Sequence, residues 1–491
     1  MMNRRDFFKT IGIGTAAVML PGRLAAAPGA SKRKPNVVLI LVDDLGWTDV
    51  GCFGSKYYET PNIDKLAAGG MKFTNGYAAC AVCSPTRAAV MTGRYPARLG
   101  VTDWIRSRFQ GGKIPADKKN PSGYVGNGQV KCPRNALWME SEEVTIAEVL
   151  KPSGYVSCHI GKWHLGPDDQ YPEKQGFDQN FGGCDYGQPP SYFDPYKNGR
   201  LANIPTLKPR KEGEYLTDRE GDEAVNFIQT NKDKPFFLYL ANYAVHTPIQ
   251  GKKTLVEKYK GKTPTNQKNA TYAAMVESVD DSVGKVMAVL DELKLTKDTL
   301  VIFSSDNGGL LGPTSNKPLR SGKGYPYEGG IRVPYIFRMP GVIEAGSACD
   351  APVISVDFMP TICAAVGIKT PAGREIDGED LTPLLTQTGK LKRDAIYWHF
   401  PHFRGRGIPP YSIIRQGDWK LLKRYAGKPE FELFNLAKDL SETKDLAPDM
   451  PEKVKELDAK LAAALKKQGA KMPIPNPNYK PGPARKKKRK K

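Results

Sequence analysis

Short apolar runs alternate with helical patterns along most of the chain. Continuous apolar runs of this length are typical of strands buried on both faces. They predict strands at Asn36–Val42, Tyr155–Ile160, Phe236–Ala241, Leu300–Ser304 and Pro334–Phe337. Apolar residues at helical spacing predict helices at Pro85–Met91, Thr145–Leu150, Thr217–Thr230, Ala270–Leu293 and Val356–Val366. This alternation predicts an α/β fold, in which a large, mixed, mostly parallel sheet is sandwiched by helices.

The pattern changes after residue 385, where a second, smaller unit is expected. Ala395–Phe400, Tyr411–Arg415 and Trp419–Tyr425 resemble antiparallel strands, and a Gln-Gly-Asp turn separates the last two. Pro451–Lys466 predicts a closing helix with leucines and a valine on one face. We therefore predict a catalytic domain at 35–385 and a small C-terminal domain, an antiparallel sheet plus a helix, at 386–470.

The two ends of the chain resemble segments outside the folded domains. Arg4-Arg5 precede a short apolar stretch and Ala25-Ala26-Ala27, as in a twin-arginine export signal. Residues 1–34 are therefore predicted to be a signal and linker, which implies a twin-arginine translocase as partner and a periplasmic or secreted location. A basic amphipathic surface helix is the alternative. Residues 471–491 are rich in proline and lysine, which is typical of a disordered tail.

The composition adds a constraint on partners. The formal net charge is +21, of which seven charges lie in the last seven residues, Arg485–Lys491. The remaining positive excess favours an anionic partner. No nucleic-acid-binding module is visible in the sequence, so a sulfated polymer is the better candidate. No apolar run approaches the ~18 residues needed to span a membrane.

Polar residues follow four of the predicted strands, where ligands gather in such sheets. They are Asp43-Asp44, Lys162 with His164, His246, and Asp306-Asn307. The three carboxylates and the amide offer hard oxygen ligands, which suit Ca²⁺, or Mg²⁺, better than zinc. The chain has only five histidines, too few to favour a two-zinc phosphatase site. The sequence thus predicts one site at this edge of the sheet.

Cys83 opens a predicted helix, with Pro85 in its first turn and Arg87 one turn further on. A helix start is a favourable place for an anion and for an activated nucleophile. Lys323, in a glycine-flanked loop, is a further candidate cation. Cys80 and Cys83 also form a C-x-x-C pair, so a redox site is an alternative.

These residues resemble the signature of the type I sulfatases. The matching motifs lie in the family's order over about residues 35–470 and are Val42-Asp43-Asp44-Leu45-Gly46, Cys83-Ser84-Pro85-Thr86-Arg87, Gly161-Lys162-Trp163-His164-Leu165-Gly166, Ser305-Asp306-Asn307-Gly308 and Glu328-Gly329-Gly330-Ile331-Arg332-Val333-Pro334. The resemblance implies the alkaline-phosphatase-like fold and hydrolysis of sulfate esters.

The resemblance also implies roles for the individual residues. A separate maturation enzyme would oxidise Cys83 to formylglycine, whose hydrate is the nucleophile. Asp43, Asp44, Asp306 and Asn307 would hold a calcium ion, which also binds the modified Cys83. Arg87 and Lys162 would steady the formylglycine, and Lys162 and Lys323 the sulfate. His246, alone or together with Lys323, would protonate the leaving alcohol, and His164 would help to regenerate the aldehyde.

The substrate is predicted to be a sulfated saccharide. His399, His402, Arg404 and Arg406 cluster after a strand of the C-terminal domain, and we expect the first three to contact substrate. A solvated basic loop is the alternative. Two other functions stay open at this point: a phosphomonoester or phosphonate-monoester hydrolase of the same superfamily, and a non-catalytic protein that binds sulfated glycans.

Overall fold

The computed structural model describes residues 33–107, 114–405 and 407–480. The predicted signal peptide, Arg406 and the basic end of the tail lie outside the described residues, apart from residues 33 and 34. The strands are β1 Asn36–Val42, β2 Met71–Phe73, β3 Gly76–Tyr77, β4 Tyr124–Val125, β5 Val130–Pro133, β6 Val156–Gly161, β7 Gln179–Phe181, β8 Phe236–Ala241, β9 Thr299–Ser305, β10 Tyr335–Arg338, β11 Ser347–Cys349, β12 Val353–Ile354, β13 Ala395–Phe400, β14 Tyr411–Gln416, β15 Trp419–Arg424, β16 Phe431–Asn435 and β17 Ile474–Pro475.

The α-helices vary from single turns to a helix of 23 residues. They are α1 Pro61–Ala68, α2 Cys83–Thr92, α3 Pro96–Leu99, α4 Ile146–Leu150, α5 Leu216–Thr230, α6 Lys253–Lys260, α7 Ala270–Glu292, α8 Glu328–Ile331, α9 Phe358–Ala365, α10 Thr382–Leu385 and α11 Pro451–Lys467. The longest, α7, begins where the Asn269 side chain accepts hydrogen bonds from two backbone amides of the first turn.

The central sheet has the strand order β11-β2-β10-β9-β1-β8-β6-β7. Five adjacent strands, β9, β1, β8, β6 and the edge strand β7, run parallel, and β10 pairs antiparallel with β9. Every residue of β1 is buried. Val38, Ile40 and Val42 pack into one core with α5 and α7. Their neighbours in β1 pack into the core on the opposite face, with α2, α4 and α9. The expected mostly parallel sheet sandwiched by helices is therefore confirmed.

The C-terminal unit is a four-stranded antiparallel sheet in the order β13-β14-β15-β16. One face shares a core with the catalytic domain, in which Trp398 and Phe400 lie against Tyr77 and Val82. The other face packs on α11 through Leu457, Leu461 and Leu465. The sequence predicted three of these strands and the helix, but not the edge strand β16.

One tail boundary needs correction. The sequence predicts a disordered tail from residue 471 onwards. In the structure, β17 lies within this segment and pairs antiparallel with β5, with Ile474 opposite Lys131. The start of the predicted tail is thus ordered by this pairing, and the Asn476 backbone N–H also donates to the Gln129 backbone oxygen at 3.1 Å. Among the described residues, no helix combines the length and apolarity needed to cross a membrane.

Candidate active site

Four neighbouring parallel strands bring the predicted polar residues to one edge of the sheet. The order β9-β1-β8-β6 places the carboxyl ends of these strands side by side. Asp306 and Asn307 follow β9, Asp43 and Asp44 follow β1, His246 follows β8, and Lys162 follows β6. Because parallel strands end at the same edge, four distant segments of sequence converge there.

The acidic residues form one buried cluster. The Asp44 backbone N–H donates to Asp306 Oδ1 at 3.1 Å, and Asn307 Nδ2 donates to Asp44 Oδ1 at 2.8 Å. Asp44 adopts a left-handed backbone with φ of 62°, which turns the chain sharply after β1. Burial and repulsion by Asp306 raise the pKa of Asp43 well above its usual range. Although burial opposes it, attraction by Lys323 and other cations lowers the pKa of Asp44.

The oxygen atoms of this cluster fit a hard divalent cation. Oδ1 of Asp43 and Oδ1 of Asn307 are buried without a hydrogen-bond partner. Carboxylate oxygens of Asp43 and Asp44 and a ring nitrogen of His246 also lie within 4.8 Å of one another. Buried oxygens without donors are costly unless a cation contacts them. Oxygen ligands of this kind suit calcium or magnesium.

Three buried cations face the three carboxylates. Arg87 donates from Nε to Asp306 Oδ2 at 2.9 Å and from Nη1 to the Lys162 backbone oxygen at 2.8 Å. Lys162 Nζ donates to Asp43 Oδ2 at 2.6 Å, and Lys323 Nζ lies 2.6 Å from Asp44 Oδ1. Attraction by the carboxylates raises the pKa of both Arg87 and Lys323 above the usual values, against the effect of burial. The cluster is therefore charge-balanced, and its cations are held rigidly.

Cys83 is the first residue of α2 and points towards this cluster. It is 4% exposed, and its Sγ lies 3.3 Å from His164 Nδ1. The next residue, Ser84, donates its hydroxyl hydrogen to the His164 backbone oxygen at 3.0 Å. These contacts fix the start of the helix against the segment that follows β6. The free amides at a helix start favour negative charge at this position.

Both histidines of the site are held by backbone oxygens. His164 Nε2 lies 2.7 Å from the Ile105 backbone oxygen, so Nε2 carries the hydrogen and Nδ1 faces Cys83 as an acceptor. His246 Nδ1 lies 2.9 Å from the Thr247 backbone oxygen, and its Nε2 lies 3.7 Å from Asp44 Oδ2. Burial and Lys323 lower the pKa of His246 to about 3. A bound anion would oppose this effect, because negative charge favours the imidazolium.

These residues open into a pocket of about 180 Å³. Cys83, His164, His246 and Lys323 line it, and Arg404 reaches it from the C-terminal domain. Besides Val82, which directly precedes Cys83, sequence reasoning missed three lining residues, which are Trp104, Gly187 and Gln188. They lie in irregular segments without a motif, so no signal in the sequence marks them. Asp103, beside Trp104, lies 3.9 Å from Arg404, and burial raises its pKa to about 6.

The two histidines assigned to substrate binding in the C-terminal domain do not line this pocket. His399 Nδ1 lies 2.7 Å from Ser412 Oγ, and its Nε2 lies 3.1 Å from the Lys471 backbone oxygen. His402 Nε2 lies 2.8 Å from Thr102 Oγ1. Both side chains are buried, at 5% and 8% exposure. We therefore correct their assignment: they hold loops and strands together, and of the three residues only Arg404 lies at the pocket.

The C-x-x-C pair does not behave as a redox site. Cys80 and Cys83 are both free thiols. Cys80 is buried, and its backbone N–H donates a hydrogen bond to Thr86 Oγ1 at 3.0 Å. Burial raises the pKa of the Cys80 thiol to about 12. A thiol that is neutral at ordinary pH is a poor partner for disulfide exchange.

Comparison with known proteins shows the family to which the chain belongs. The Sulfatase family model matches residues 35–368, and a model described as "N-sulphoglucosamine sulphohydrolase, C-terminal" matches residues 322–471. A "Sulfatase" of Formosa agariphila is 34% identical over 86% of this chain and 86% of its own. The mouse N-acetylgalactosamine-6-sulfatase is 35% identical over 77% of this chain and 70% of its own.

Solved structures extend the similarity to the whole described fold. Ps i-CgsB superposes with a TM-score of 0.74 at 33% identity, covering 90% of this chain and 95% of its own. It has also been solved in complex with k-i-k-neocarrahexaose. The phosphonate monoester hydrolase of Agrobacterium radiobacter has a TM-score of 0.65 at 20% identity, with 90% of this chain and 99% of its own covered, and shows the shared fold alone.

Proposed function

Because this chain belongs to the sulfatase family and is a sulfuric ester hydrolase, we propose that its substrate is a sulfated saccharide. Two of its relatives act on or bind such molecules by name, the N-acetylgalactosamine-6-sulfatase and Ps i-CgsB with its neocarrahexaose. The net charge of +21 supports an anionic polymer as the partner. Arg404 at the pocket adds a guanidinium group, whose planar donors suit sulfate oxygens.

We further propose that Cys83, converted to formylglycine by a separate maturation enzyme, is the nucleophile. One observation carries this assignment: Cys83 stands at the start of α2, lines the pocket and lies 3.3 Å from His164 Nδ1. The second thiol nearby, that of Cys80, does not line the pocket and forms no disulfide bond with Cys83. The hydrated aldehyde would supply two hydroxyl groups at this position.

Asp43, Asp44, Asp306 and Asn307 would hold the metal ion, with Ca²⁺ preferred and Mg²⁺ as the alternative. The unpartnered oxygens of Asp43 and Asn307 support this set. The modified Cys83 would complete it. When bound, the ion supplies positive charge that polarises a sulfate oxygen.

The positions of the remaining side chains suggest a separate role for each. Arg87 braces Asp306 and the segment after β6, so it orients the residues that hold the nucleophile. Lys162 and Lys323 supply positive charge where the sulfate would gain negative charge. His246 lies beside Lys323 in the pocket and would donate a proton to the leaving alcohol. His164 Nδ1 faces Cys83 as an acceptor and would remove a proton there.

The enzyme is proposed to act in the periplasm or outside the cell. The support is the Arg4-Arg5 segment at the start of the sequence, with a short apolar stretch after it. The twin-arginine translocase would then be its export partner. A fusion of residues 1–34 to a reporter tests this: export should be lost when both arginines become lysine.

Mass spectrometry and rate comparison test the proposed chemistry. The protein is produced in a host with a formylglycine-generating enzyme, and the peptide containing Cys83 is weighed. We expect the CH₂SH side chain to be replaced by CHO, and Cys83→Ala to lose all turnover. Full activity with an intact thiol would contradict the assignment. Faster hydrolysis of an aryl phosphate than of an aryl sulfate would instead favour a phosphoesterase.

A further inference from the structure

A second cavity, larger than the catalytic pocket, lies where the C-terminal sheet meets the catalytic domain. Its volume is about 570 Å³, against about 180 Å³ for the catalytic pocket. Cavities of ~300–1,000 Å³ are typical of sites for small ligands. Its walls come from the loop after Lys323, the β13–β14 connection, the end of β15 and the segment after β17. None of the roles assigned above uses it.

The walls of this second cavity present aromatic surface to solvent. Tyr325, Phe403 and Tyr479 line it. Phe403 is 45% exposed and Tyr479 is 41% exposed, and both are among the few large apolar side chains exposed in the described residues. Exposed apolar side chains that gather around one groove are typical of ligand-binding sites. Tyrosine also keeps a polar hydroxyl group, so such walls suit a ligand with both apolar and polar faces, as a sugar ring has.

The charged side chains of the second cavity are mostly positive. Arg320, Arg424 and Lys428 line it, against one carboxylate, Glu432. Arg424 forms a close ion pair with Glu432, and Arg320 lies 3.8 Å from it. One carboxylate cannot neutralise three cations, so the cavity keeps a positive excess. Lys428 is exposed at the edge of the cavity. An anionic ligand therefore complements this surface.

The two cavities are neighbours along two stretches of chain. Lys323 and Arg404 line the catalytic pocket. Tyr325, two residues after Lys323, and Phe403, adjacent to Arg404, line the second cavity. Residues two apart in an extended segment are separated by ~7 Å at most. The two cavities therefore adjoin along these two stretches of chain.

We propose that the second cavity binds an anionic sugar of the same glycan chain whose sulfate ester is hydrolysed in the catalytic pocket. This inference rests on the proposed saccharide substrate. It makes an oligosaccharide, not a single sulfated sugar, the unit that the enzyme recognises. The aromatic walls contact the ring faces of this second sugar, and the excess cations contact its sulfate or carboxylate.

Kinetics on substrates of two sizes test the inference. Phe403→Ala and Lys428→Ala are compared with the wild-type holoenzyme on an aryl sulfate, neocarrahexaose and a chondroitin 6-sulfate hexasaccharide. Tyr124→Ala and Lys438→Ala are the matched controls, since they remove an exposed ring and an exposed charge that line neither cavity. We expect KM for a hydrolysed hexasaccharide to rise about ten-fold in the test variants, with kcat kept, because this contact is equal in ground and transition states. Rates on the aryl sulfate should stay at the wild-type value.

Calorimetric binding separates this inference from the proposed function. In a Cys83→Ala background, at least one of the two hexasaccharides should bind, and Phe403→Ala should weaken that binding about ten-fold. The desulfated hexasaccharide and a triglutamate peptide should bind much more weakly. If neither hexasaccharide binds, if the test variants match their controls, or if triglutamate binds equally well, the inference is overturned. Normal hydrolysis of the aryl sulfate in the same preparations would leave the proposed sulfatase chemistry intact.

Discussion

At the scale of single residues, charge balance explains how three carboxylates can be buried together. Asp43, Asp44 and Asp306 are at most 1% exposed. Each is paired with a cation from another segment: Lys162, Lys323 and Arg87, in that order. Separate burial of any one of these charges would be costly. These ion pairs explain why the three side-chain cations are buried here. They leave one oxygen of Asp43 and one of Asn307 without a hydrogen-bond partner, which indicates room for a bound metal ion.

Asp306→Asn should release the metal ion while keeping the size of the side chain. Loss of one negative charge weakens an oxygen site for a divalent cation. We expect the wild-type protein to carry about one calcium per chain and the variant almost none, with activity on an aryl sulfate lost as well. Elemental analysis after dialysis measures this.

The matched control is Asp357→Asn. Asp357 is also a buried carboxylate paired with an arginine, Arg393, but lies outside the cluster. Its variant should keep the metal. Stoichiometric calcium in the Asp306 variant, or stoichiometric zinc in the wild type, would contradict the assignment.

Arg404→Ala should discriminate between substrates. Arg404 lines the pocket, and the carboxylate that it pairs with at 3.9 Å is Asp103, which is not one of the proposed metal ligands. Its guanidinium group can therefore bind the saccharide without a part in the reaction itself. We expect kcat/KM on the hydrolysed oligosaccharide to fall. The fall should correspond to a loss of about 1–3 kcal/mol of transition-state binding, a typical value for a charge-assisted hydrogen bond. The rate on an aryl sulfate should change little. An equal fall on both substrates would show that Arg404 supports the catalytic residues instead.

At the scale of elements, apolar runs predicted the buried strands best. The predicted bounds of β1, β8 and β13 are those observed. These strands are buried along almost all of their length, so their apolar runs end where the strands end. β16 was missed because its polar Glu432 breaks the apolar run, although the carboxylate is buried with Arg424. Ion pairing across strands is not visible in one segment of sequence.

The same scale explains where site prediction failed. In β13, Trp398 and Phe400 face the core shared with the catalytic domain. Alternate residues of a strand point to opposite faces, so His399 must point away from that core. The alternation could have predicted this placement. By contrast, Trp104 and Gln188 reach the pocket from irregular loops, whose course depends on tertiary packing.

Lys420→Met should destabilise the contact between β15 and α8. Lys420 Nζ donates to Glu328 Oε1 at 2.9 Å and to Glu442 Oε1 at 2.7 Å, and all three side chains are buried. Removing the cation leaves two buried carboxylates together, which costs about 3–5 kcal/mol. Denaturant unfolding measures the loss. Burial raises the pKa of Glu442 to about 7, so its protonation should make the loss smaller at pH 5 than at pH 8.

The control for this prediction is Lys423→Met on the same strand. Lys423 pairs with Asp458 at 2.9 Å, but both side chains are about a quarter exposed. A partly solvated pair contributes about 0–1 kcal/mol. Equal losses in the two variants would contradict the role of the buried cluster.

At the scale of the whole molecule, the two domains share one core. Trp398 of the C-terminal sheet donates from Nε1 to the Ala78 backbone oxygen at 2.8 Å, and its ring lies 5.3 Å from that of Tyr77. The core that contains them also includes Val82, the residue before Cys83. The C-terminal domain thus supports the start of the helix that carries the proposed nucleophile.

The described parts of the two domains should therefore unfold together. Calorimetry is expected to show one transition for the wild-type protein, because separation of the domains would expose this shared apolar surface. Trp398→Ala should lower the stability of the whole molecule by about 3–5 kcal/mol, typical of truncating a buried aromatic residue. Trp419→Ala, on the same sheet but half-buried and packed on the side of α11, should cost less. A second, separate transition that alone shifts in the Trp398 variant would show instead that the C-terminal domain is energetically independent.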